Sequence, residues 1–212
     1  MKRLLALISY FISNSSYPLN KTEIMKMVYL FEYYHYQTFG YQYTDIQFIR
    51  FDYGPFAAEV YTALDVLHQA GGINVYLYPM TGGRRAYLHE VNNMDVLREY
   101  SIDDDRKYIA DETLHELSGL SYDDLIYKVY STPPMAKITE EEDMVGEKEL
   151  RRPLDMAECK PIKKFNREKI EAARKRLDKS SKGSDQEYYV NILEERKSID
   201  YLRRRANECM MK

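Results

Sequence analysis

Apolar and polar positions alternate along this chain with two different periods, and each period predicts its own elements. Met1 to Ile12 is apolar behind Lys2 and Arg3, which predicts a first helix over Lys2 to Ile12. No small-x-small cleavage site follows, and the run enters a polar loop at Ser13 to Pro18, so it reads as a core helix rather than a signal peptide. Asn20-Lys21-Thr22-Glu23 has the form of a capping box, with Asn20 as cap and Glu23 reaching back. Behind it Ile24, Met27, Val28, Phe31, Tyr34 and His35 fall at helical spacing until Gly40, a residue suited to a left-handed helix stop. Residues 41–52 predict extended chain or one short helical turn. Tyr53-Gly54-Pro55 then opens a helix to about Ala70, with Pro55 in its first turn and Val60, Ala63, Leu64 and Leu67 on the apolar side.

Period two takes over after Gly71-Gly72. Ile73 to Tyr78 predicts a strand, residues 79–83 a glycine-assisted turn, and Arg84 to Val91 the return strand. Helical patterning resumes over residues 103–118, and again after Ser121, a predicted cap for a helix ending before Pro133-Pro134. Residues 136–165 lose their periodicity and predict a linker or ordered arm. Lys169 to Lys179 and Gln186 to Met210 predict two more helices. The expected fold is mainly α with a β-hairpin: a winged-helix-like helical domain over residues 1–135, followed by a linker and basic helical extension over 136–212.

Charge changes this picture at one point. The net charge of −3 divides into −1 over residues 1–100, −9 over 101–150 and +7 over 151–212. Either long exposed helices are simply rich in charge, or the basic tail meets an acidic surface, in this chain or in a partner. The tail helices carry too few apolar residues for a core of their own, so docking on the body, on a second copy or on a partner is expected. A homo-oligomer through these helices is one such arrangement.

Chemistry is sparse. There is no phosphate-binding glycine loop, and His35, His68, His89 and His115 are isolated from one another, without metal-ligand spacing. His35 lies on the apolar side of its helix, as an interior histidine does. Cys159 and Cys209 stand in polar surroundings with no neighbouring histidine, which predicts neither a disulfide framework nor a cysteine nucleophile and points to a reducing cytoplasm. No apolar run is long enough to span a bilayer, and no membrane partner is expected. The expectation is a protein that is not an enzyme and uses no cofactor.

Three short motifs resemble one family. They are Met27-Val28-Tyr29-Leu30-Phe31-Glu32-Tyr33-Tyr34-His35, then Tyr53-Gly54-Pro55 with Glu59-Val60-Tyr61, then Leu120-Ser121-Tyr122-Asp123-Asp124-Leu125 with Val129-Tyr130 and Pro133-Pro134. In this order, over roughly residues 4–135, they are similar to the Panacea, or SocA-like antitoxin, domain. The resemblance implies a mainly helical protein-binding domain with no catalytic residues to carry over. Members act as antitoxins for varied toxins, and one branch delivers its toxin to a protease. Two features depart from the family: a long hairpin over 73–91, closer to related winged-helix proteins, and the basic tail.

A non-catalytic module that neutralises or escorts a cognate protein, a toxin or a complex subunit, is therefore expected. Tyr53, Pro55, Phe56 and Glu59 are the candidate contacts, although Tyr53-Gly54-Pro55 also suits a purely structural turn. The alternative is a winged-helix DNA-binding regulator or a non-catalytic subunit of a defence complex. From Phe51 to Gly83 there is no Lys or Arg, while Asp52, Glu59 and Asp65 are present, which opposes a duplex at the would-be recognition helix. Nucleic-acid contact is left to Arg84 and Arg85, themselves compatible with a solvated hairpin shoulder, and to Arg203, Arg204 and Arg205.

Overall fold

The computed structural model describes residues 1–79, 85–117 and 119–159. The expected tail helices, Cys209, the hairpin turn, Arg84 and Arg203 to Arg205 lie outside the described residues. Mostly helical structure with small antiparallel sheets results, as the patterning predicts.

Helix α1 (Lys2–Asn14) sends Leu4, Leu7, Ile8 and Phe11 wholly into the core. Strand β1 (Leu19–Asn20) leads into α2 (Lys21–Phe39). The predicted capping box forms: Asn20 Oδ1 accepts from the Thr22 and Glu23 amides at 2.9 Å each, and the Asn20 amide donates to Glu23 Oε2 at 2.7 Å. Gly40 ends the helix at φ +80°. Ten residues of α2 are buried, Ile24 to Glu32 without a gap and then His35, so it runs through the middle of the core instead of presenting one stripe to it. Its buried Glu32 carboxylate accepts from the amides of Tyr43 and Thr44 and from the Thr44 hydroxyl, which fixes the loop after the helix. Burial raises this carboxyl to about 7.

Strands β2 (Ile49–Phe51) and β3 (Gly54–Phe56) form a small hairpin around Asp52-Tyr53. Here the structure corrects the expected helix start. Pro55 belongs to β3, and α3 (Ala58–Gln69) begins three residues later, with Ala57 at its N-cap position and no side-chain cap. The pairing explains why proline is tolerated. Arg50 stands opposite Pro55, and its own N–H and C=O turn away to Arg152 and Arg151, at 2.7 Å each. The pair is thus a non-hydrogen-bonded one, and proline's missing N–H costs nothing there.

Strands β4 (Ile73–Pro79) and β5 (Arg85–Val91) pair over seven residues, and β1 joins β5 from the other side, giving the order β1-β5-β4. Helix α4 (Met94–Arg98) was not expected; α5 (Asp104–Leu117) and α6 (Tyr122–Tyr130) were. Ser121 caps α6 as predicted, its hydroxyl accepting from the Asp124 amide at 3.2 Å.

Of the two readings of residues 136–165, linker or ordered arm, the described part is an ordered one and includes a helix. Pro133-Pro134 begins α7 (Pro133–Val145), because proline fits a first turn whose amides have no intrahelical partner. Met135 and Ile138 are core residues, and the chain returns along β2, with Leu154 N–H donating to Phe48 C=O at 2.8 Å. A short 3-10 turn, Met156–Glu158, ends at Cys159. Cys159 is completely buried, not set in polar surroundings, and burial pushes its thiol up to about 12.

Candidate functional site

The β2–β3 hairpin stands on a buried polar pedestal. Arg50, 2% exposed, donates through Nε to Glu142 Oε1 at 3.0 Å and through Nη2 to Oε2 at 3.1 Å, and its guanidinium lies 5.4 Å from the Tyr130 ring centroid. Glu142 Oε1 also accepts the Glu149 amide at 2.8 Å. Beside this pair Lys26, 3% exposed, donates to the Pro55 carbonyl at 3.0 Å. Burial, and then the Arg50 charge, lower its ammonium to about 7. Gly54 closes the arrangement at φ +95°; a Cβ there would stand 3.0 Å from Tyr130 Cε2 and 3.3 Å from Lys26 Nζ. The turn therefore needs glycine for its backbone and for its close approach.

Fixed from below, the hairpin shows aromatic side chains to solvent. Tyr53, 71% exposed, is at its tip. Phe51 packs on Phe56 with ring centroids 5.2 Å apart, and Phe56 meets Tyr61 of α3 edge-on at 5.4 Å. Lys21, from the first turn of α2, places Nζ 5.0 Å from the Tyr61 ring and 4.8 Å from the ring of Tyr87 on β5. A continuous ridge results: Phe51, Phe56, Tyr61, Lys21 and Tyr87, contributed by five elements. It borders a groove of about 370 Å³ between α3 and the β4–β5 sheet. Val75 faces His89 and Leu77 faces Tyr87 across the strands, so these four share the sheet face turned to Leu64, Asp65 and His68 of α3.

The candidate contacts divide accordingly. Tyr53 and Glu59 are exposed and Phe56 is half-buried, whereas Pro55 is buried and serves the hairpin through its carbonyl. Phe51, Lys21, Tyr61 and Tyr87 were not anticipated as contacts. Phe51 and Phe56 flank the Asp52–Pro55 segment, a signal available in the sequence; the meeting of Lys21 with Tyr87 had none. Arg85 is exposed at the start of β5. The exposed side of α3 carries Glu59 and Asp65 and neither Lys nor Arg. His35 is interior, as expected: Nδ1 lies 2.8 Å from the Tyr41 carbonyl, and burial lowers its pKa. Its Nε2 is buried without a partner among the described residues. The described residues contain no group of three or more His, Cys, Asp or Glu able to hold a metal, and no helix long and apolar enough to cross a membrane.

The sequence profile of one family, described as antitoxin SocA-like, Panacea domain, matches residues 24–134. The chain belongs to this family. No curated protein and no solved structure matches it. The Panacea segment contains Lys26, the whole β2–β3 hairpin, α3, β4, β5 and Tyr130. Two residues completing the surface lie outside it: Lys21, within the ridge, and Glu142, which holds Arg50. Sequence flanking the Panacea segment thus contributes to both the ridge and its support.

Proposed function

We propose that this Panacea protein is a non-catalytic antitoxin-type module that binds a partner protein on the ridge running from Tyr53 and Phe51 through Phe56 and Tyr61 to Tyr87. The observation that carries the reading is the ridge itself. Aromatic side chains held by a buried pedestal offer large apolar area at small entropic cost, which is the character of residues that dominate protein interfaces. Glu59, beside the ridge, supplies a charge for orientation. Tyr53, Phe56 and Glu59 are the partner contacts and Pro55 is their support. The cognate partner is a toxin or a subunit of a complex, met in the cytoplasm.

A DNA-binding regulator draws support from the helix-then-hairpin order, from Arg85 and from the basic tail. The acidic side of α3 opposes it, since a major-groove helix meets phosphates with positive charge.

The experiment is capture of the product of the neighbouring gene by the full chain and by a Phe51→Ser/Tyr53→Ala variant. Loss of two anchors weakens affinity by roughly a hundredfold. The melting temperature stays within about 3 °C, because both side chains are exposed. Undiminished capture by the variant, or sub-micromolar sequence-specific duplex binding at about 150 mM salt, overturns the proposal.

A further inference from the structure

We infer that the groove between α3 and the β4–β5 sheet is an anchor site for a tyrosine side chain of the partner, whose hydroxyl donates to Nε2 of His89; this rests on the protein-binding reading above. At about 370 Å³ the groove is near the lower end of binding pockets and has room for one aromatic side chain. His89 lines it and is 1% exposed. Its Nδ1 lies 3.0 Å from the Leu19 carbonyl, an oxygen that only accepts, so Nδ1 carries the proton and Nε2 the lone pair. Nε2 has no hydrogen-bond partner among the described residues. Burial, and then Lys21 and His68, lower the pKa of this imidazole against the Leu19 bond and the Asp65 charge, so the ring is neutral at pH 7. A buried acceptor is costly to leave unpaired, so whatever fills the groove must bring a donor.

The surroundings decide what carries that donor. A carboxylate would set its lone pairs against that of Nε2. A cation would meet two positive charges, because Lys21 lines the groove and Arg85 shares the face of β5 that carries Tyr87 and His89; among the described residues Asp65 is the one acid in the lining. A neutral donor remains. Leu64, Val75, Leu77 and the Tyr87 ring line the groove around it, so the donor belongs on an aromatic body, that of tyrosine or tryptophan. Lys21 decides between these two. Its ammonium lies against the rings of Tyr61 and Tyr87, and no hydrogen-bond acceptor reaches it among the described residues. A phenol oxygen donates to His89 and still accepts from Lys21, whereas an indole N–H donates and has no lone pair to offer. Lys21 and Tyr87 belong both to the ridge and to the groove, so a partner lying on the ridge covers this site as well.

The probe is p-cresol, the tyrosine side chain cut free of its backbone, titrated into the isotope-labelled full chain at neutral pH and followed by NMR. In the comparison compounds 4-methylanisole lacks the donor, and 3-methylindole, the tryptophan counterpart, lacks the acceptor. The expected result is saturable millimolar binding of p-cresol that shifts the methyl signals of Leu64, Val75 and Leu77 and the Nε2 signal of His89. Loss of the hydroxyl donor makes 4-methylanisole about fivefold weaker. The indole also binds more weakly than p-cresol, and Lys21→Met, which keeps the stem and removes the ammonium, abolishes that preference. Leu77→Trp, at an exposed position bordering the groove, fills it and removes p-cresol binding. Equal binding of 4-methylanisole overturns the inference, as do tighter binding of 3-methylindole and shifts confined to residues outside the groove. Capture of the neighbouring gene's product then separates this inference from the reading it rests on. Leu77→Trp is expected to weaken capture by about tenfold, the loss of one anchor. If it retains full capture while Phe51→Ser/Tyr53→Ala loses it, the groove inference fails and the protein-binding reading stands; if both retain full capture, both fail.

Discussion

Gly54→Ala tests the support of the aromatic hairpin at its most constrained point. Two costs arise, and the structure separates them. At φ +95° any L side chain is strained, by about 1–2 kcal/mol. The added methyl also meets Tyr130 Cε2 at 3.0 Å and Lys26 Nζ at 3.3 Å. Neither neighbour moves freely: the tyrosine ring lies against the Arg50 guanidinium, and the lysine is bonded to the Pro55 carbonyl. Overpacking of this kind adds about 1–3 kcal/mol. The total is about 3 kcal/mol, which for a chain of this size lowers the melting temperature by ~9 °C. Gly71 is the internal control. It has φ +75° with nothing within 4 Å of its absent Cβ, so Gly71→Ala carries strain alone, about 1 kcal/mol or ~3 °C. Thermal melts of the full chain followed by circular dichroism measure both variants. If Gly54→Ala loses no more than Gly71→Ala, the close approach to Tyr130 and Lys26 is not a constraint and the pedestal argument fails.

Two further outcomes follow from the buried charges. Glu142→Leu strands Arg50 in the core and costs about 3–5 kcal/mol in chemical denaturation, whereas the Arg50→Met/Glu142→Leu pair recovers most of it; a double variant as unstable as the single one refutes this reading. Lys26 has its folded-state pKa lowered to about 7 from 10.5, so between those values the unfolded chain holds the extra proton and this residue's contribution to stability rises with pH. The stability of Lys26→Met relative to wild type is therefore most favourable at and below pH 7 and declines toward pH 9.5, and a difference independent of pH over that range contradicts the assignment.

What the sequence alone determined is local. The Asn20–Glu23 box, the Gly40 stop, the Ser121 cap and the strands around 73–91 each depend on residues within a few positions of one another. Side-chain caps, left-handed glycines and period-two patterning are legible without knowing what lies across the core. The three motifs carried the family by the same token. Tertiary structure decided the rest. Pro55 looked like a helix opener because proline fits a first turn; its place in β3 depends on Arg50 bonding outward to residues 151 and 152, a hundred positions away. Residues 136–165 read as a linker or ordered arm, with no helix among them, because α7 buries little beyond Pro134, Met135, Ile138 and Glu142, too sparse a stripe to stand out; Glu142 became buried only because Arg50 was there to meet it. The candidate surface divides in the same way. Tyr53 and Phe56 were visible beside their turn, but a ridge joining Phe51 to Tyr87 through Lys21 exists only once α2, α3 and the β4–β5 hairpin are packed together, since the distance between two rings is set by the fold and not by their separation along the chain.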